Sequence, residues 1–265
     1  MLLRTLNEHW LWKRRLRVFD YVFRAPSLDR LTSLWLHKLG IIGKDESRIL
    51  RHLVRKGMTV VDVGANQGIY TLLMAGLANP GRVFAFEPEP LLYAQLISNA
   101  RENHATNVTC SDLAISSSSR SLTLQSGVLN LGDNRIVVDQ MQSSQRVSVT
   151  ASTLDDLFPD QSIDFLKIDI QGWEAEALTG ATKTLTRNHD LIIMFEYWPF
   201  GLLRAGTVPA DLLAFLQELG FMLWQLMNGR LTQLAPKSLP DPTKELSYCN
   251  LIGARNLSLI KDLII

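Results

Sequence analysis

The chain is short of the residues that several function classes require. Two cysteines in 265 residues, Cys110 and Cys249, are too few for a disulfide framework, and each falls in an apolar run that reads as a buried strand. The histidines His9, His37, His52, His104 and His189 stand singly, with no partner at a metal-ligand spacing, so each reads as a surface or internally satisfied residue and no metal is expected. No stretch approaches the roughly 18 consecutive apolar residues that span a bilayer. The cluster Lys13-Arg14-Arg15-Leu16-Arg17 interrupts what would be the apolar part of a signal peptide. A formal net charge of only +1 is not that of a protein that wraps nucleic acid by bulk electrostatics. No repeat or low-complexity tract is visible. These absences leave a cytoplasmic globular protein as the expectation.

What the chain does have is concentrated in Val60-Val61-Asp62-Val63-Gly64-Ala65-Asn66-Gln67-Gly68-Ile69-Tyr70-Thr71. A β-branched run ends in a glycine-containing turn, and a helix pattern follows. A second apolar run, Arg82 to Phe86, ends at Glu87, which stands 23 residues after Gly64. Strand, turn, helix, strand and acid form the opening of a nucleotide-cofactor fold. Gly64 and Gly68 suit a tight turn that approaches a ligand with no Cβ in the way. Their pattern is Gly-Ala-Asn-Gln-Gly, however, and not the Gly-x-Gly-x-x-Gly of a pyrophosphate binder. Asp62, at the end of its strand, would repel a pyrophosphate and pair with an ammonium group. S-adenosylmethionine carries an ammonium, a sulfonium and no phosphate, and so suits this set better than NAD does. Glu87 is placed to accept both ribose hydroxyls, or else to cap the helix after Pro88 and Pro90. Asp112, after the third strand, reads as an acceptor for the adenine amino group or as an ordinary loop acid.

Strands and helical patterns alternate over the rest of the chain. The spacing predicts an α/β, doubly wound, mostly parallel seven-stranded sheet at residues 46–265, with its site at the carboxyl ends of the strands. Short alternating segments at 121–125, 135–138 and 146–149 predict antiparallel hairpins inserted in or added to it. Residues 1–45 read as an N-terminal helical cap of two helices, the first basic and aromatic through Trp10, Trp12, Phe19, Tyr21 and Phe23. That helix suits docking on a membrane surface or a partner, or simple packing on the main domain.

Several separate motifs agree in order and spacing with one family. Val61 to Gly68, Ala85-Phe86-Glu87-Pro88-Glu89-Pro90, Asn99 with Asn103, Ala114, Thr153-Leu154-Asp155 and Leu166 to Glu174 resemble the FkbM methyltransferases over roughly residues 57–200. The resemblance implies a class I S-adenosylmethionine-dependent methyltransferase fold, acting on a hydroxyl of a sugar, glycan or secondary metabolite. It implies Gly64, Asn66 and Gly68 as the cofactor loop, Glu87 as the ribose acid, Pro88 and Ala114 beside it, and residues 169–174 as the floor of the reaction centre. One departure is Gln171, where the family more often has glutamate.

Methyl transfer to a hydroxyl needs the oxygen held against the methyl and a base for the proton. Asp169, ending the fourth strand, is the first candidate, with helix capping or contact with the methionine end as the alternative. Glu174 is a second, although a carboxylate in a helix's first turn is favoured there anyway. Glu196 is a third, beside Tyr197, Trp198 and Pro199, whose aromatic rings would either stack on a sugar face or pack. The alternatives to an enzyme of this kind are a non-catalytic cofactor-binding module and an NAD(P)-dependent oxidoreductase.

Overall fold

A computed structural model of the chain describes residues 15–24, 33–34, 36–125, 135–136, 146–235 and 238–265. The central sheet is built from β3 (Thr59–Val63), β4 (Arg82–Phe86), β5 (Val108–Ser111), β10 (Phe165–Ile168), β11 (Ile192–Tyr197), β12 (Met222–Met227), β13 (Arg230–Gln233) and β14 (Cys249–Ala254). Its order is β13-β12-β14-β11-β10-β3-β4-β5. The neighbours from β11 to β5 run parallel, whereas β14 runs antiparallel to both β11 and β12.

The long apolar runs of the parallel strands follow from burial on both faces. Val61, Val63, Leu166, Ile168, Ile193 and Phe195 face one core, against helices α5 (Glu174–Thr179), α6 (Thr182–Arg187) and α8 (Pro209–Glu218). Val60, Phe165, Ile192 and Met194 alternate with them to face another, against α1 (Lys44–Leu53) and α2 (Ile69–Ala78). Helix α1 carries Asp45 and Glu46 in its first turn and Arg51 and His52 in its last, matching the helix dipole at both ends. Helix α3 (Pro90–Glu102) starts from Glu89, whose carboxylate accepts the Leu92 N–H at 2.7 Å. The strand order, not the strand direction, reverses between β3 and β10, and ligands of open α/β sheets bind at such a point.

Three expectations need correction, and one short helix adds to them. The main sheet has eight strands and not seven, because Asn228-Gly229, at φ 52° and 70°, closes a two-residue hairpin from β12 to β13. The inserted strands form a separate sheet, β6 (Ala114–Ile115), β9 (Arg146–Ser152), β7 (Arg120–Gln125) and β8 (Arg135–Ile136), in which β6 and β9 pair in parallel. A short helix, α7 (Pro199–Arg204), follows β11, with its proline in the first turn where no N–H is required. Residues 15–24 are no basic helix but a hairpin, β1 (Arg15–Val18) and β2 (Tyr21–Arg24). Leu16 and Val18 point inward between exposed Arg15 and Arg17, a period of two, and join Phe23, Leu34, Leu72 and Ala100 in a core of their own. Residues 1–14 and most of the expected second helix lie outside the described residues, and the docking expectation for Trp10 and Trp12 lies there too. No helix among the described residues is long and apolar enough to cross a membrane.

Candidate active site

A cavity of about 1060 Å³ opens at the carboxyl ends of β3, β4, β10 and β11. Ligand pockets commonly enclose roughly 300–1,000 Å³, so a cofactor and an acceptor fit together. One end is formed by Gly64, Ala65, Asn66, Gln67, Phe86, Glu87, Pro88, Leu113, Ala114 and Ile115. The other carries His37, Glu46, Tyr70, Asp169, Gln171, Glu196, Trp198, Tyr248 and Asn250.

The turn after β3 is closed by its own hydrogen bonds. Gly64 and Ala65 both donate to the Phe86 carbonyl at 3.0 Å, and Gly68 donates to Ala65 at 2.9 Å. Asn66 donates its backbone N–H to Glu87 Oε2 at 2.8 Å, and Gln67 donates to Asn66 Oδ1 at 2.8 Å. Every N–H from Gly64 to Gly68 is therefore engaged within the protein, leaving none of them for a phosphate, which binds through such groups. The loop's chemistry excludes a pyrophosphate cradle and leaves an acid. Gly64 has φ 82°, and a Cβ there would lie 2.0 Å from the Asp169 carbonyl oxygen, so this turn packs directly on the loop after β10.

Glu87 is buried, and its carboxylate also accepts from Glu89 N–H at 3.0 Å. Glu89 performs the helix capping, and two backbone donors fix Glu87's direction at the cavity wall. The apolar surface of Phe86, Pro88, Leu113, Ala114 and Ile115 beside it suits a flat adenine ring. Gln67 adds a buried side-chain oxygen with no hydrogen-bond partner. An acidic, amide-bearing, phosphate-excluding end of this kind fits S-adenosylmethionine: Glu87 for the ribose and the apolar wall for adenine.

The expected site residues divide. Gly64, Asn66, Glu87, Pro88, Ala114, Asp169 and Glu196 all line the cavity. Asp62 does not. It is fully buried beneath the site, accepting from Thr71 Oγ1 at 2.6 Å and standing 3.5 Å from Lys167 Nζ. Its charge is thus met by the protein, and no ligand ammonium is needed. Gly68 turns the chain into α2 at φ 91° without reaching the cavity. Asp112 is exposed outside it, the wall beginning at Leu113. Glu174 is buried and also outside it. Its Oε1 takes the N–H groups of Ile170 and Gly172, each at 3.1 Å, so it shapes the loop rather than facing a substrate. Burial pushes its carboxyl up to about 7.

The reacting end is organised by Lys167, buried on β10. Its Nζ stands 3.6 Å from Asp169 Oδ2 and 5.2 Å from the centre of the Tyr70 ring. Burial alone would lower the Lys167 pKa, but Asp62 and Asp169 together hold it above the ordinary lysine value. Gln171 Nε2 donates to Asp169 Oδ1 at 3.2 Å and to Glu196 Oε2 at 3.1 Å. Burial first, and then the charge of Asp169, raise Glu196 well above the carboxylate range. Trp198 lines the cavity, its indole N–H donating to the Glu245 carbonyl at 2.7 Å, whereas Tyr197 packs in the core.

His37, Glu46, Tyr70 and Asn250 are site residues that the sequence reasoning passed over. His37 Nδ1 lies 2.9 Å from the Ser33 carbonyl, which requires the proton on that nitrogen, and burial lowers its pKa. Glu46 Oε1 accepts from Asn250 Nδ2 at 2.6 Å across the cavity wall. A carboxylate in a helix's first turn reads as ordinary dipole compensation, so only its partner, 204 positions away, reveals the second role.

Comparison with known proteins agrees with this geometry. The family model described as the methyltransferase FkbM domain matches residues 62–223, more than half of the chain. The methyltransferase sdnD of Sordaria araneosa is 28% identical over 61% of this chain and 73% of its own. The hexuronic acid methyltransferase AglP of Haloferax volcanii is 25% identical, with 66% of this chain and 68% of its own covered. A solved SAM-dependent O-methyltransferase from Thermotoga maritima is 15% identical, with a TM-score of 0.47 over 91% of this chain and 77% of that one. The family match spans the Gly64–Gly68 turn, Glu87 and the Asp169–Glu196 carboxylates of one cavity, and the chain belongs to the FkbM methyltransferases and takes its methyl group from S-adenosylmethionine.

Proposed function

We propose that the acceptor is a hydroxyl oxygen of a sugar, glycan or similarly hydroxylated metabolite, with Asp169 as the proton acceptor. The carrying observation is the Asp169–Gln171–Glu196 cluster, which shares a cavity with Glu87. S-adenosylmethionine supplies an electrophilic methyl on a sulfonium. The chain's own residues supply the rest. Lys167 pairs with Asp169, which receives the hydroxyl proton. Glu46, Asn250, Gln171 and Glu196 offer hydrogen-bonding groups to a hydroxylated acceptor, and Trp198 and Tyr248 offer aromatic surface to a sugar ring face. Apolar pockets with convergent polar groups orient a ligand in this way. That AglP is a hexuronic acid methyltransferase agrees with a sugar acceptor.

The test is a panel of glycosides and hydroxylated metabolites incubated with the chain and methyl-labelled S-adenosylmethionine, read by mass and by carbon NMR of the product. A methyl ether is expected, and Asp169→Asn should lower turnover by about 10²–10⁴ with the S-adenosylhomocysteine affinity held. Methylation at nitrogen, or full turnover in Asp169→Asn, would contradict the reading.

A further inference from the structure

We propose that Gln171 is a positioning residue that ties Asp169 and Glu196 into one unit, in which the proton resides on Glu196. The proposal rests on the reading of Asp169 as the group that receives the hydroxyl proton.

The backbone of Gln171 is clamped from both sides. Its φ is 56°, a left-handed conformation that a non-glycine residue keeps only when its surroundings impose it. Glu174 holds the N–H groups on either side of it, those of Ile170 and Gly172. Gly172, at φ 99°, lies so close to α7 that a Cβ on it would stand 2.5 Å from the Gly201 carbonyl carbon. The side chain of Gln171 is thereby directed into the cavity. One amide nitrogen carries two hydrogens, and here each has its own carboxyl acceptor, at 3.2 and 3.1 Å.

Two carboxyls within reach of one nitrogen do not both ionise freely, because like charges at that separation oppose each other. The flanking groups decide between them. Asp169 has the Lys167 ammonium 3.6 Å from its Oδ2. Glu196 has Asp169, Glu174 and Glu46 as negative neighbours, with Lys167 the countering positive one, and Tyr248 and Cys249 also face it. The proton therefore resides on Glu196, in agreement with its raised pKa. The unit offers an acceptor one proton acceptor and one proton donor. As the oxygen–methyl bond forms and the methyl–sulfur bond breaks, the electron pair stays on sulfur and the hydroxyl proton passes to Asp169. Glu196 donates its hydrogen bond to a neighbouring oxygen of the acceptor. Glutamate at position 171 would remove the donor and add a third carboxyl to the unit.

The experiment is a carbon-NMR titration of the side-chain carboxyls in the full chain with S-adenosylhomocysteine bound, comparing wild type, Gln171→Met and Gln171→Glu. Asp169→Asn and Glu196→Gln spectra assign the signals. In the wild type, Glu196 should titrate well above the ordinary carboxylate range. Gln171→Met, of similar length but with no donor, should raise the Glu196 midpoint by about 1 in pH, a lost hydrogen bond to a carboxylate. Gln171→Glu should raise it as well, and it serves as the test if the methionine variant does not fold. A Glu196 midpoint in the ordinary range in wild type, or one unmoved in a folded variant, would overturn the proposal. If the midpoint moves as stated while Asp169→Asn keeps full turnover, the base assignment falls and the positioning role stands.

Discussion

Glu174 carries a charge badly, because burial lifts its carboxyl to about 7 even with backbone N–H groups pulling the other way. A carboxyl whose value is higher in the folded than in the unfolded chain stabilises the fold in its protonated form. That contribution is complete below about 4.5 and is lost as pH rises through about 7. Glu174→Gln keeps an acceptor for Ile170 and Gly172 and removes the ionisation. Urea unfolding at pH 5 and pH 9 should therefore find the variant gaining on wild type by up to about 3 kcal/mol between the two. An identical pH profile for both proteins would refute the assignment. At this scale the sequence is half legible. Glu87 and Asp169 announce themselves by following apolar runs that are plainly strands. Asp62 follows the same rule and misleads, because register sets it beside Lys167 on the neighbouring strand. A charge pair between residues 62 and 167 has no local signature, and neither has the Gln171 bridge to Glu196.

Helix α3 shows how an element can serve the site from outside it. Asn103 extends the β1–β2 hairpin's pairing with a side chain, accepting from Val22 N–H at 2.7 Å and donating to the Val22 carbonyl at 2.7 Å. One turn earlier, Asn99 accepts from Arg24 N–H at 3.3 Å and donates to the Gln67 carbonyl at 2.8 Å. The two asparagines thus hold the amino-terminal hairpin to the helix and the helix to the cofactor loop. Asn103→Ala leaves both polar groups of Val22 without that partner, at a cost of about 1–3 kcal/mol. Hydrogen exchange should show faster exchange at Val22 and across β1 and β2, with the protection of β3 and β10 unchanged. Uniform loosening of the whole sheet, or none anywhere, would contradict this role. The hairpin is hard to see in the sequence because aromatic and basic residues dominate its composition, whereas the deciding feature is Leu16 and Val18 alternating with arginines over only four residues. The β12–β13 hairpin had a readable signal in Asn228-Gly229, whose backbone freedom such a turn demands.

Across the whole molecule, one sheet edge collects chemistry from distant parts of the chain. The expected cofactor end comes from β3, β4 and the turn after β5, one continuous segment at residues 59–115, and for that reason it is legible as a motif. The acceptor end is assembled from residue 37, residue 46, β10, β11 and residues 245–250, which only the fold brings together. We place S-adenosylmethionine at this edge with its ribose on Glu87. Calorimetric titration with S-adenosylhomocysteine, for wild type and Glu87→Ala, tests that placement. Micromolar binding to wild type is expected, with a loss of about ten- to a hundredfold in the variant and no binding of NADH to either. Equal affinity in both proteins, or binding of NADH alone, would contradict it.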